Sequence, residues 1–100
     1  MQVLKDIKVT RHTITACKER RQSIGLVPTM GALHTGHLSL IHQSLQDNDI
    51  TIVSIFVNPI QFNNAEDFAK YPSTVDNDLK LLESTGCEYV FLPDSSAMYP

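Results

Sequence analysis

Three short runs of apolar, β-branched-rich residues alternate with stretches whose apolar residues recur at helical spacing, and this alternation limits what the chain can fold into. Ile24-Gly-Leu-Val27, Ile50-Thr-Ile-Val-Ser-Ile-Phe-Val57 and Glu88-Tyr-Val-Phe-Leu92 are nearly continuous in hydrophobicity. A strand reads that way when helices cover both faces of its sheet. Between the first two runs, Leu38, Ile41 and Leu45 fall at i, i+3 and i+7, and Asp47-Asn-Asp49 ends the stripe. Between the second and third, Val75, Leu79 and Leu82 form another stripe. Ser73-Thr-Val-Asp76 reads as its capping box and Gly86 as the C′ residue that stops it. The expectation is a parallel sheet built from right-handed βαβ units, with the three strands side by side.

The first twenty-odd residues add a short strand at Val3-Leu4 and a helix reaching about Arg21, although β-branched residues weaken that helix. Three core strands make a lean sheet, and nothing after Met98-Tyr-Pro100 covers its far edge. The chain therefore reads as one incomplete N-terminal domain, residues 1–100, of a longer protein. Its 42% hydrophobic and 19% charged residues are ordinary for a globular domain. No apolar run approaches the roughly 18 residues of a membrane span, and the first residues, MQVLKDIKVTRH, lack a signal-peptide core. The net charge of −3, with Lys18-Glu-Arg-Arg21 the one basic cluster, speaks against nucleic acid as a partner. Cys17 and Cys87 have no metal-type spacing and read as reduced structural thiols of a cytoplasmic protein.

The chemistry concentrates in Val27-Pro-Thr-Met-Gly-Ala-Leu-His-Thr-Gly-His-Leu-Ser-Leu40. The first core strand ends at Pro28-Thr29, so residues 30–36 lie at the carboxyl edge of the sheet, where ligands of such folds bind. This loop feeds a helix beginning near His37. A helix start offers unpaired N–H groups and about half a positive charge, which suits phosphate. Gly31 and Gly36 allow close approach and backbone conformations denied to other residues. The common phosphate loops are excluded: G-x-G-x-x-G is absent, and Gly36-His-Leu38 is not Gly-Lys-Ser/Thr. His34 and His37 instead can donate hydrogen bonds to charge developing on an α-phosphate. That chemistry transfers a nucleotidyl group and releases pyrophosphate. The plainer reading is a turn with two solvent-facing histidines. A zinc site would need His42 as well, five residues from His37 and poorly placed on the same helix face. His12 reads as a surface residue.

A second motif, Phe56-Val-Asn-Pro-Ile-Gln-Phe62, closes the second core strand at the same edge. Asn58 and Gln61 both donate and accept hydrogen bonds, which fits a small substrate bearing a carboxylate and hydroxyls. Pro59 stiffens the loop between them. Alone, this would pass for a strand-end turn.

Together these stretches, with Tyr71-Pro72 and Met98-Tyr-Pro100, resemble the pantoate–β-alanine ligases, the pantothenate synthetase family, from about the first core strand to the last residue. The resemblance implies a Rossmann-like parallel sheet with flanking helices, of the HxGH nucleotidyltransferase type and truncated. It implies that the pantoate carboxylate attacks the α-phosphate of ATP to give pantoyl adenylate and pyrophosphate. The β-alanine amine then displaces AMP. By the same resemblance Met30, Gly31, Ala32, Leu33, His34, Thr35, Gly36 and His37 bind the nucleotide, with His37 and His34 catalytic. Gln61, Asn58 and Met30 contact the substrate. Mg²⁺ accompanies ATP without an assigned protein ligand, and Asn77 stands where some relatives carry an acidic residue. A homodimer is implied for the whole protein. The family's later lysine, second glutamine and small closing domain are not among these residues. Other classes fit the histidine loop too: a cytidylyltransferase-like enzyme, or a nucleotide-binding module without turnover.

Overall fold

A computed structural model describes residues 1–56 and 71–93, with backbone alone at 71–74. The strand-end loop carrying Asn58, Pro59 and Gln61 lies outside the described residues, as does Met98-Tyr-Pro100. The elements run β1 (Gln2–Leu4), α1 (Ile7–Glu19), β2 (Ile24–Thr29), α2 (Thr35–Asp47), β3 (Ile50–Ile55), α3 (Tyr71–Thr85) and β4 (Tyr89–Phe91). All strand pairs are parallel, in the order β1-β4-β3-β2.

The three core strands lie side by side as their hydrophobicity requires, and β3 explains why its sequence does not alternate. Its odd residues Val53 and Ile55 join Val27, Ile41, Leu82 and Val90 in one core cluster beneath α2 and α3. Its even residues Ile50 and Ile52 pack with Cys17 of α1 on the opposite face. Both faces being covered, the strand is apolar throughout. Full burial of each such side chain contributes about 1.5–3 kcal/mol relative to exposure.

The far edge of the sheet is not bare, contrary to the expectation from sequence. β1 pairs with β4 there, Val3 opposite Val90 and Leu4 opposite Phe91, and the Leu92 N–H donates to the Leu4 carbonyl at 2.7 Å. A strand of three residues has no periodicity from which its partner could be read. The edge without a partner strand among the described residues is that of β2. The carbonyls of Ser23 and Thr29 accept from Ile50 and Phe56 on the β3 side, so Pro28, of opposite parity, turns its missing N–H away from the ladder. Inside a strand, away from its first residue and from bulges, proline is confined to such an edge.

Helix ends follow local chemistry. Asp6 caps α1, accepting from the Lys8 and Val9 N–H groups at 2.7 and 3.2 Å. The helix stops at Glu19, two residues short of the expected end, because Arg21 turns left-handed at φ 59°. The Arg21 and Gln22 N–H groups then satisfy the Lys18 and Cys17 carbonyls, the Schellman pattern with arginine in glycine's usual place. Gly86, at φ 90°, follows the last residue of α3 as its sequence requires. The Ser73 capping box is corrected: α3 is already helical from Tyr71, which puts Ser73 inside the first turn. Pro72 fixes a helical φ ahead of it, where its absent N–H has no helical partner to lose.

Candidate nucleotide site at the carboxyl edge of the sheet

The loop of interest leaves β2 through Thr29, whose hydroxyl donates to the Ser54 carbonyl of β3 at 3.0 Å and accepts from the Gly31 N–H at 3.2 Å. This bond pair ties the loop to the ends of two neighbouring strands. The backbone then turns left-handed twice, at Gly31 (φ 86°) and Ala32 (φ 52°). Glycine adopts that region freely, whereas alanine pays about 1–2 kcal/mol. The turn is held from across the fold. Asp78 of α3, only 4% exposed, accepts from the Ala32 N–H through Oδ2 and from the Leu33 N–H through Oδ1, both at 2.9 Å. Leu33 then packs against the core cluster between α2 and the sheet.

His34 is extended (φ −140°, ψ −175°) and caps α2, which begins at Thr35, two residues before the expected start. Its Nδ1 accepts from the Gly36 N–H at 3.1 Å, and the His37 Nδ1 accepts from the His34 N–H at 3.2 Å. This is the reciprocal capping box that Ser/Thr and Glu/Gln usually build, made here from two imidazoles with ring centroids 4.2 Å apart. A backbone N–H can only donate, so each Nδ1 must be an acceptor. Each neutral ring therefore carries its proton on Nε2, free to donate away from the backbone.

The two loop glycines serve different ends. Gly31 supplies a left-handed backbone, as expected from sequence. Gly36 has no such conformation. A Cβ there would sit 2.9 Å from Cε1 and 3.2 Å from Nδ1 of His34, so glycine makes room for the capping ring. The loop's backbone donors are also used internally: Gly31 to Thr29, Ala32 and Leu33 to Asp78, His34 to His37, and Gly36 to His34. What faces outward is the imidazole pair, with Met30 62% exposed beside it. His12 and His42 are exposed on α1 and α2. Among the described residues no group of three or more His, Cys, Asp or Glu converges on a metal position, and no helix is long and apolar enough to cross a membrane.

Asp78 escaped the sequence reading, which looked to its exposed neighbour Asn77. A signal was present: Asp78 occupies the i+3 position of the stripe Val75, Leu79, Leu82, an acid on a buried face.

A parallel α/β sheet with flanking helices and a histidine-capped helix at its carboxyl edge defines a Rossmann-like α/β domain that carries an H-x-G-H motif. The chain belongs to the pantoate-beta-alanine ligase family, whose profile matches residues 2–100. It is 49% identical to the pantothenate synthetase of Bacteroides fragilis over 100 residues, all of this chain and 36% of that protein. With the pantothenate synthetase of Thermodesulfovibrio yellowstonii the identity is 48%, over the same shares. The crystal structure of the Francisella tularensis pantoate-beta-alanine ligase, complexed with beta-gamma ATP and beta-alanine, superposes with a TM-score of 0.83 at 45% identity. It covers all of this chain and 38% of that one. The chain thus spans little more than a third of its relatives' length.

Proposed function

We propose that this chain supplies the nucleotide-activating part of an ATP-dependent ligase that joins pantoate to β-alanine. The observation that carries the reading is the pair of imidazoles whose Nδ1 atoms are occupied by backbone N–H groups, leaving two Nε2–H donors at the carboxyl edge of the sheet. Hydrogen bonds of that kind strengthen as charge builds on the α-phosphate oxygens when the pantoate carboxylate attacks. The Pα–O bond to pyrophosphate breaks as the new P–O bond forms, leaving pantoyl adenylate. The amine of β-alanine then attacks the activated carbonyl, losing a proton as AMP departs. Family membership supports both steps, and the beta-gamma ATP and beta-alanine in the complex of the Francisella relative support these ligands.

Residues 30–37 line the nucleotide, His34 and His37 being the catalytic donors. Met30, Asn58 and Gln61 meet pantoate. Mg²⁺ enters with ATP, where it supplies charge neutralisation on the phosphates; the described residues offer it no cluster of ligands. A homodimeric, cytoplasmic whole protein completes the reading.

The test is a chimaera in which residues 1–100 replace the matching segment of the Francisella ligase. His37→Ala in that frame is expected to lower pantoate-dependent pyrophosphate release about 10²–10³-fold, as loss of one such donor does, and to leave ATP affinity within a few-fold. Near-normal release would remove His37 from the mechanism. Thermal protection of the chain by CTP rather than ATP would move it to the cytidylyltransferases.

A further inference from the structure

We infer that Asp78 is a positioning residue: it sets the conformation of the loop that carries His34 and His37. Three observations meet on it. It is 4% exposed and occupies a helix stripe where a leucine would extend the run Val75, Leu79, Leu82 into the core. A carboxylate is costly in such a place, so packing does not account for it. Among the described residues its partners are two backbone N–H groups, Ala32 and Leu33, each at 2.9 Å and each from a different oxygen. Those amides follow the left-handed Gly31 and lie on either side of Ala32, itself left-handed at φ 52°, the point at which the chain changes direction between β2 and α2. Two bonds from one rigid group fix both position and rotation of this turn. His34 comes next, and its cap geometry depends on where the turn delivers it.

The consequence for chemistry is indirect. Asp78 faces the loop's inner side and the imidazoles its outer side, so Asp78 acts through them. This second part rests on the proposed ligase reaction; the first part does not. The same carboxylate ties the nucleotide loop to α3, the next described element after β3 in sequence.

Asp78→Asn keeps the shape but replaces one acceptor oxygen with a donor. Amide hydrogen exchange on the unliganded chain, followed by NMR, should show Ala32 or Leu33 exchanging about 10–100-fold faster, the loss expected for a bond to a charged acceptor, with Val53 and Val90 in the core strands unchanged. Should the variant fail to fold, the unaltered chain still decides: trans-hydrogen-bond scalar couplings must link both amide nitrogens to the Asp78 carboxyl carbon. In the Francisella chimaera, kcat for pyrophosphate release should fall at least tenfold per folded molecule, with KM for pantoate within twofold. Uniform acceleration of exchange, absent couplings, or local release of the two amides with unchanged kcat would each overturn the inference. A chimaera with native Asp78 that releases no pyrophosphate would instead overturn the ligase reading, while the exchange result still supports or refutes the clamp.

Discussion

Gly36→Ala separates the stability of this domain from the aim of its histidines. The added Cβ would lie 2.9 Å from Cε1 and 3.2 Å from Nδ1 of His34, closer than carbon tolerates. The obstructing atoms belong to an exposed ring, so the ring swings out and the backbone stays. Swinging breaks the bond from the Gly36 N–H to Nδ1, and loss of a cap costs about 0.5–2 kcal/mol. Alanine in a helix gains up to about 1 kcal/mol over glycine. The two nearly cancel, which keeps Tm within about 8 °C of the parent, since 1 kcal/mol shifts a domain of this size by about 4–8 °C. Function does not cancel. A ring released from its cap no longer holds its proton on Nε2 or its direction, so the proposed reaction loses one phosphate donor. The Francisella chimaera should then release pyrophosphate about 10²–10³-fold more slowly. Thermal melting by circular dichroism and the pyrophosphate assay on the same samples give both numbers. A rate within threefold of the parent at unchanged Tm would refute the role given to the His34 cap. A much larger fall in Tm would refute the claim that the ring yields.

Gly25→Ala should do the reverse, because a Cβ there meets Ser44 Oγ at 2.1 Å and Asn48 Nδ2 at 2.6 Å in the β2–α2 contact. Overpacking of that kind costs about 1–3 kcal/mol, visible as a lower urea midpoint with ATP affinity per folded molecule unchanged. Cys17 and Cys87 are free and buried, and burial pushes the Cys87 thiol above its ordinary value. The native state therefore holds that proton more tightly than the unfolded chain, and the associated stability is present at neutral pH and lost as pH rises through the alkaline range. Native protein should resist iodoacetamide at pH 7.5, and mass spectrometry showing rapid labelling of Cys87 would contradict this. Gln61→Ala in the chimaera should weaken pantoate by about 0.5–1.5 kcal/mol and spare ATP, as calorimetric titration would reveal. The 100-residue chain alone should fold, bind ATP weakly, release no pyrophosphate and self-associate, because Leu26 (63% exposed) and Leu40 (60%) lie beside the β2 edge, which has no partner strand among the described residues; light scattering showing a monomer would count against the association.

The sheet was legible because burial on both faces leaves a signature that survives in one dimension. Ile50 and Ile52 face α1 while Val53 and Ile55 face α2 and α3, and no alternation survives such a placement. Gly86 was legible for the same reason, since a left-handed C′ residue follows from local chain chemistry alone. The short strand at Val3-Leu4 was legible too, but its place in the sheet was not: Val3 finds Val90 across 87 positions, and three residues cannot encode that choice. The start of α3 was misjudged because Ser73 and Asp76 satisfy a capping pattern that Pro72 overrides. At the candidate site, the H-x-G-H spacing pointed to His34 and His37, which the structure joins in one helix cap. Asp78 stayed hidden because its partners are backbone amides 45 and 46 positions away, which no side-chain pattern marks.

The internal use of the loop's amides bears on why histidine occupies this place. A loop that cradles phosphate with its own N–H groups must leave them unpaired until the ligand arrives. Here Asp78, Thr29 and the two imidazoles take the N–H groups of Gly31, Ala32, Leu33, His34 and Gly36, so the turn keeps its shape without a ligand. In the proposed reaction the side chains meet the anion together with the first-turn N–H groups of α2, and that role requires a donor whose direction the backbone can fix. Lysine cannot meet that requirement, because its ammonium sits on a flexible four-carbon stem and has no acceptor to anchor it. An imidazole has two chi angles and two nitrogens on opposite sides of a rigid ring. Binding one nitrogen to a backbone N–H sets the tautomer and the aim of the other in a single contact. The H-x-G-H spacing follows from this: three residues bring the second ring back to the first residue's N–H, and the glycine between them leaves space for the first ring to reach its own anchor.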